Sequence, residues 1–409
     1  MREMKDSGVE WIGEIPKDWN CMRLKFAFGN SNVGESVDKE LYSSDENGYI
    51  FYTAGANPVK TSYTEFPMWK YTTDNDILLA RNGTPYIYLP SKDAVYSDHI
   101  IRINIKDGYC RRFLRYCLQR SIESIIVDSV SIATWSISLW KEQKLPLPYY
   151  HEQKYLADYL DSKCSKIDEI IERQQAIIEK LKEYKLSIIT EAVTSGINPD
   201  VEMKDSGSVW FGSIPTNWEM KRLKYVFHIQ KDIAGEEGHT VLSITQKGII
   251  PKDFSNNEGQ FANSYANYQL VHKGDFAMNH MDLLTGWVDI SKYEGVTSPD
   301  YRVFVLNDKN GMCPEYYLYM MQMCYRARIF YGLGQGVSGM GRWRLQADKF
   351  LNFHIPIPPY DEQKIIADYI TDKVNHIEVE IDKRNKLVEK YQEYKKSLIY
   401  EVVTGKKEV

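Results

Sequence analysis

Cysteine is sparse and unpatterned along this 409-residue chain. Cys21, Cys110, Cys117, Cys164, Cys313 and Cys324 form no C-x-x-C pair and share no recurrent spacing. That argues against a disulfide framework or a zinc site and leaves buried free thiols. The eight histidines show no metal-ligand spacing either. No stretch approaches the roughly 20 apolar residues that span a bilayer. The opening MREMKDSGVE lacks the apolar run of a signal peptide, so a cytoplasmic location away from membranes is expected. A basic excess is also missing, the formal net charge being −5. A protein that grips DNA alone is usually basic, because phosphate neutralisation supplies much of the affinity. Either the chain avoids nucleic acid, or local basic patches act while partner subunits carry the rest. Hydrophobic residues are not short, at 43%, and the length allows two or more domains with cores of their own.

What the chain does have is itself, twice. MKDSGVEWIGEIPKDWNCMRLKF from Met4 returns as MKDSGSVWFGSIPTNWEMKRLKY from Met203, with 13 of 23 positions identical and no gap. LPLPYYHEQKYLADYLDSKC from Leu145 returns as IPIPPYDEQKIIADYITDKV from Ile355, and the likeness runs on to EAVT and EVVT. Each copy is a short leading motif, a variable globular region and a long helix.

The helices carry a three-four spacing. Leu160, Cys164, Ile167, Ile171, Gln174, Ile178, Leu181, Lys185 and Ile188 form one stripe. Ile370, Val374, Ile377, Ile381, Arg384, Val388, Tyr391, Lys395 and Leu398 form the other. That spacing, held for four heptads, is a coiled-coil seam, with Gln174 and Arg384 as register-fixing polar positions. Helices of about 38 residues, roughly 57 Å long, exceed what a globular core needs and are expected to pack on each other. Duplication favours an antiparallel pair related by a pseudo-two-fold axis, with a lobe at each end and the leading motif joining helix end to lobe. Trp11, Trp19, Trp210 and Trp218 in that motif read as core anchors. The expected divisions are a first lobe over 1–150, a helix over 151–196, a second lobe over 197–358 and a helix over 359–409. The fold class is therefore α/β (α+β) lobes plus long helices. Strands are read at DILLA, HIIRINI and YRVFVL, and a helix at EYYLYMMQMCYRARIFY.

Catalytic signals fall away under inspection. Gly334, Gly336 and Gly339 spell G-x-G-x-x-G, but after a helix-like segment rather than a strand. IPPY at Ile357–Tyr360 lacks the Asn or Asp that an amino-methyltransferase loop needs. Glu152-Gln153-Lys154 and Glu362-Gln363-Lys364 have the E-x-K form of nucleases, yet no nearby Asp completes a metal pair. Loops of binding character remain. Arg81, Asn82 and Thr84 follow one strand, and His99 precedes another. Asn279, His280, Asp282 and Tyr301 take the same order in the second lobe, where Asp275 matches Asp76. Such side chains can read base edges. The glycine loop GQGVSGMGRWRLQ adds Gln335, Ser338, Arg342, Trp343 and Arg344, against Ser131, Thr134 and Trp135 in the first lobe. If both loops read, they read different things.

The doubled Pro-x-Pro…Glu-Gln helix start resembles specificity subunits of type I restriction–modification systems. So do GEIPKDW and GSIPTNW, DILLARNGT, VYSDHI, and the helix ends EAVTSG and EVVTG. The likeness covers essentially the whole chain. Tyr149 departs from it, standing where a second proline is usual and where Pro359 occurs in the second copy. The resemblance implies two target-recognition domains that each read half of a split double-stranded DNA site, and helices that fix the spacing. It implies that methyl transfer from S-adenosylmethionine belongs to modification subunits docked on the helices. ATP and Mg chemistry would belong to a restriction subunit, leaving no cofactor, metal or catalytic residue to this chain. A non-enzymatic coiled-coil adaptor binding two protein partners is the alternative expectation.

Overall fold

The computed structural model describes residues 2–43, 48–128, 134–254, 263–336 and 343–409. It divides into two compact units, Met1–Gln175 with Asn385–Val409, and Ala176–Arg384.

In the first unit, strands Phe28–Val33, Ile100–Ile105, Asp76–Ala80 and Ile87–Tyr88 lie side by side in that order, all antiparallel. The period of two sends Ile101, Ile103 and Ile105 to one face, where they meet the helix Arg111–Asp128. Ile100, Leu78 and Ala80 face the other way, onto Tyr52, Tyr88 and Tyr96. Covered on both sides, DILLA is buried at every position. Strand Asn20–Arg23 of the leading motif pairs with Lys144–Leu147, which delivers the chain to the long helix.

The second unit repeats this order. Phe227–Gln230, Arg302–Leu306, Phe276–Met278 and Val288–Ile290 form the matching sheet. Asp76 and Asp275 fix the correspondence between the two. Each carboxylate accepts the backbone N–H three residues earlier, Thr73 at 2.6 Å and His272 at 2.9 Å, and so closes the turn into its strand. The segment read as one helix is two. Pro314–Arg326 ends where Arg328 turns left-handed, at φ 57°, and Ile329–Leu333 starts afresh.

The long helices run Tyr150–Ser195 and Tyr360–Val403, 46 and 44 residues, longer than the seam alone implies. The extra turns lie at both ends of each seam, before Leu160 and Ile370 and after Ile188 and Leu398, and Glu-Gln-Lys lies inside each helix start. Every apolar seam position is buried or half-buried. In the first unit Leu160, Cys164, Ile167 and Ile171 pack with Val388 and Leu398, and Asp168 pairs with Lys395 at 2.6 Å. In the second, Ile178, Ile188, Ile377 and Ile381 cluster with Leu181, and Lys185 pairs with Glu378. Ile370 and Val374 pack against the second lobe's core.

Both duplicated stretches meet at one latch in each unit. The Trp19 indole N–H donates to Glu152 at 3.1 Å, and that of Trp218 to Glu362 at 3.0 Å. Gln153 accepts from the Cys110 N–H at the start of the lobe's helix and donates to the Pro148 carbonyl, both at 2.9 Å. Gln363 does the same with Cys313 and Pro358. The end of the opposite helix closes the latch, with Gly405 against Pro16 and Trp19, and Gly196 against Trp218 and Glu362. Helix start thus meets the other helix's end within each unit, so the pairs are antiparallel. The Tyr400 hydroxyl and the Lys406 ammonium donate to the Ile12 carbonyl at 3.2 and 3.0 Å, tying the leading motif to that helix end. The tryptophans divide. Trp19 and Trp218 are fully buried and Trp11 partly so, but Trp210 is 42% exposed, resting edge-on over Gly332 rather than anchoring a core.

Candidate nucleic-acid interface

Where the first lobe's sheet runs out, four of the candidate side chains converge. The Arg81 N–H donates to the His99 carbonyl at 2.8 Å, and its guanidinium donates to the Asp98 carbonyl at 3.1 Å. The Asn82 amide donates to His99 Nδ1 at 2.8 Å. An amide N–H can only donate, so Nδ1 is the acceptor in this contact, and Nε2 lies 3.9 Å from the Asp98 carboxylate. Asn82 also bridges Thr134 through the backbone. His99, Thr134 and the neighbouring Thr84 are exposed. A mixed set of donors and acceptors at a rim suits base edges. Trp135 does not share this role. It is 2% exposed, its backbone N–H bound to Arg81 and its indole to the Gly83 carbonyl at 3.2 Å, so it supports the loop from below. Ser131 lies outside the described residues.

Beside this rim, a cavity of about 740 Å³ opens between Thr84–Ile87 and the first long helix. Glu123, Asp161, Asp168, Glu169 and Glu172 line it. Arg115 and Lys395 line it as well; Asp168 is paired with Lys395 and Asp161 with Arg112, each at 2.6 Å.

The second lobe builds its rim from the equivalent segments. Leu345 N–H binds the His280 carbonyl at 2.9 Å, as Trp135 binds Arg81, so Leu345 matches Trp135 and Arg344 matches Thr134. His280, Tyr301 and Arg344 line one cavity of about 520 Å³ with Lys231, Arg302 and Gln346. His280 is 5% exposed, buried rather than displayed. Burial, then the charges of Arg302, Arg344 and Lys231, push its pKa down to about 3, so the ring is neutral. Gln335 pairs with Arg344 through the backbone and takes a hydrogen bond from Gln346 at 2.9 Å. Asn279 and Asp282 turn inward to their own loop. The Asn279 amide oxygen accepts from the N–H groups of Met281 and Asp282, and the Asp282 carboxylate from those of Leu284 and Thr285. These bonds shape the loop, and both residues stay half-buried. Trp343 is 38% exposed and leans on Tyr331, ring centres 4.8 Å apart. Ser338 and Arg342 lie outside the described residues, as does Gly339.

Sequence reading missed Arg302 and Lys231. Arg302 hides within the apolar run YRVFVL, and the available signal was that one charge in a core-facing row. No group of His, Cys, Asp and Glu able to hold a metal ion occurs among the described residues. Nor is any described helix long and apolar enough to cross a membrane.

Two copies of an α/β recognition lobe, each latched to antiparallel helices, define the class of fold. The chain belongs to the family of the type I restriction modification DNA specificity domain, whose model matches residues 16–184 and 215–390. It is similar to the specificity subunit of the type I restriction enzyme MjaVIII of Methanocaldococcus jannaschii, 25% identical over 96% of this chain and 93% of that one. It is also similar to the EcoBI specificity subunit of Escherichia coli, 23% identical over 35% of this chain and 32% of that one. The fold matches a chain solved in work on complex assembly and conformational transition of the type I R-M system. There the TM-score is 0.67 at 12% identity, covering 96% of this chain and 99% of that one. Its role is that of a specificity subunit, recognition of DNA rather than catalysis.

Proposed function

We infer that each lobe reads one half of a bipartite double-stranded DNA target, and that the paired helices set the spacing of the halves. Residues 1–150 and 197–358 would carry the reading, and 151–196 and 359–409 would dock the modification subunits. S-adenosylmethionine, ATP and Mg would be handled by modification and restriction subunits in the cytoplasm, this chain holding none of them. One observation carries the reading. The latch is conserved between the copies atom for atom, Gln153 with Gln363 and Trp19 with Trp218, while Arg81 and Thr134 give way to His280 and Arg344 at the same rim positions. A duplicated frame with divergent rims is what two different half-sites require. The net charge of −5 fits a chain whose partners share the phosphate contacts.

The test begins with methylation-aware sequencing of the host genome, which returns the target. Gel shifts with the co-purified modification subunit then compare Asn82→Ala on duplexes altered in either half-site. Loss of discrimination in one half only is expected. Equal discrimination in both halves would sink the assignment of one half per lobe.

A further inference from the structure

Arg302 stands in the core-facing row of its strand, with Phe304 and Leu306, opposite Met278. The register through Asp76 and Asp275 puts Ile101 at that place in the first lobe, opposite Leu79 and 2% exposed in the core. The arginine in the first lobe's equivalent strand is different in kind, for Arg102 is only half-buried and is neutralised by Asp76 at 2.8 Å. Arg302 has no such partner. It is 5% exposed, and Nη2 donates to the Leu345 carbonyl at 2.8 Å. Its Nη1 is buried without a hydrogen-bond partner, and so is Nδ1 of His280 beside it. The side chains of both residues line the 520 Å³ cavity, with these two atoms just beneath its surface; Arg344 and Lys231 line it too, and no described carboxylate does. Burial lowers the Arg302 pKa to about 10, which leaves it charged at neutral pH.

A buried guanidinium with an unused donor is costly unless an anion or acceptor arrives. A guanine edge offers two neutral acceptors, enough for one arginine. Three cations around a neutral imidazole call for a full negative charge.

We propose that this cavity seats one phosphodiester of the DNA backbone, held by Arg302, Arg344 and Lys231 with the His280 N–H. The proposal rests on the reading that the second lobe binds duplex DNA. The seat belongs to the second lobe, because Ile101 and Thr134 fill the matching places in the first.

The test uses the full chain co-purified with its modification subunit. Arg302→Leu restores the apolar character the first lobe has at this point, so its thermal melting should match or exceed that of the parent. Affinity for the target duplex should fall about tenfold to a hundredfold, equally for every base substitution in the second half-site. The slope of log affinity against log salt should shrink by about one. Single methylphosphonates stepped along that half-site form a second arm, independent of whether the variant folds. At one position the neutral linkage should weaken the parent and leave Arg302→Leu unchanged. A loss confined to one base pair would make Arg302 a base reader and overturn the proposal, as would unaltered affinity in a folded variant. Stabilisation by inorganic phosphate with no methylphosphonate effect would mean a free-anion site, which also overturns it. Failure of the parent complex to bind its mapped target would instead remove the DNA reading beneath it.

Discussion

Gly405 and Gly196 stand just past the two Val-Thr helix ends in the left-handed region, at φ 71° and 77°. Thr404 and Thr194 precede them, each hydroxyl bound at 2.7 Å to the carbonyl four residues back. The two glycines differ in room. A Cβ at Gly405 would lie 2.5 Å from Pro16 and 3.1 Å from Trp19, whereas at Gly196 nothing comes closer than 3.4 Å. Gly196→Ala therefore incurs the left-handed cost of about 1–2 kcal/mol. Gly405→Ala adds overpacking against a rigid ring and a buried indole, about 1–3 kcal/mol more. Urea melts should rank Gly405→Ala clearly below Gly196→Ala, and equal midpoints would dismiss the close packing of helix end on leading motif. At this scale the sequence was a partial guide. It marked Glu152 and Gln153 as a matched helix start, but their partners Trp19 and Cys110 lie 133 and 43 residues away. In the first lobe Arg81, Asn82 and His99 come together at the rim, while Trp135 in that lobe and His280 in the other went inside. Exposure depends on what packs beneath a loop, and local residue types do not record that.

Among the elements the long helices were the most legible, because a three-four stripe is a purely local pattern that burial then obeys. Isoleucines and leucines are buried or half-buried along the stripe, and each fully buried one contributes about 1.5–3 kcal/mol by leaving water. Ile171 and Ile381 are 9% and 7% exposed, one in each unit's helix pair. Replacing both by Asp places two carboxylates in dry positions without partners, at several kcal/mol each. The double variant should lose co-purification with the modification subunit together with DNA binding. Lys180→Asp with Lys383→Asp, at exposed positions, should keep both. Normal assembly of the Ile171→Asp, Ile381→Asp chain would speak decisively against the seam. The lobes were less legible. DILLA, HIIRINI and YRVFVL declared strands by composition, but the sheet order and the pairing of Asn20–Arg23 with Lys144–Leu147 join segments far apart in sequence. Arg302 is marked locally only as the one charge in the row of YRVFVL, and its contrast with the other lobe emerges when that row is set beside Ile101.

For the whole molecule, the reading of two half-sites demands something that fixes the distance between them. The duplicated helices are the elements whose length can change without touching any lobe residue. Adding one heptad after Leu181 and another after Tyr391 keeps the three-four seam and lengthens each helix by about 10 Å. At about 3.4 Å per base pair, that corresponds to roughly three more base pairs of unread spacer. Three base pairs also turn the far half-site by about 100°, taking roughly 10–10.5 base pairs per turn. Methylation activity on the lengthened target should therefore fall below that of the parent on its own target. The half-site sequences should stay as they were, since neither the Arg81–His99 rim nor the Arg302 cavity is altered. Methylation mapping of cells carrying the lengthened chain decides the matter. Unchanged halves at wider spacing are expected, and new half-site sequences at the old spacing would end the case for the helices as a ruler.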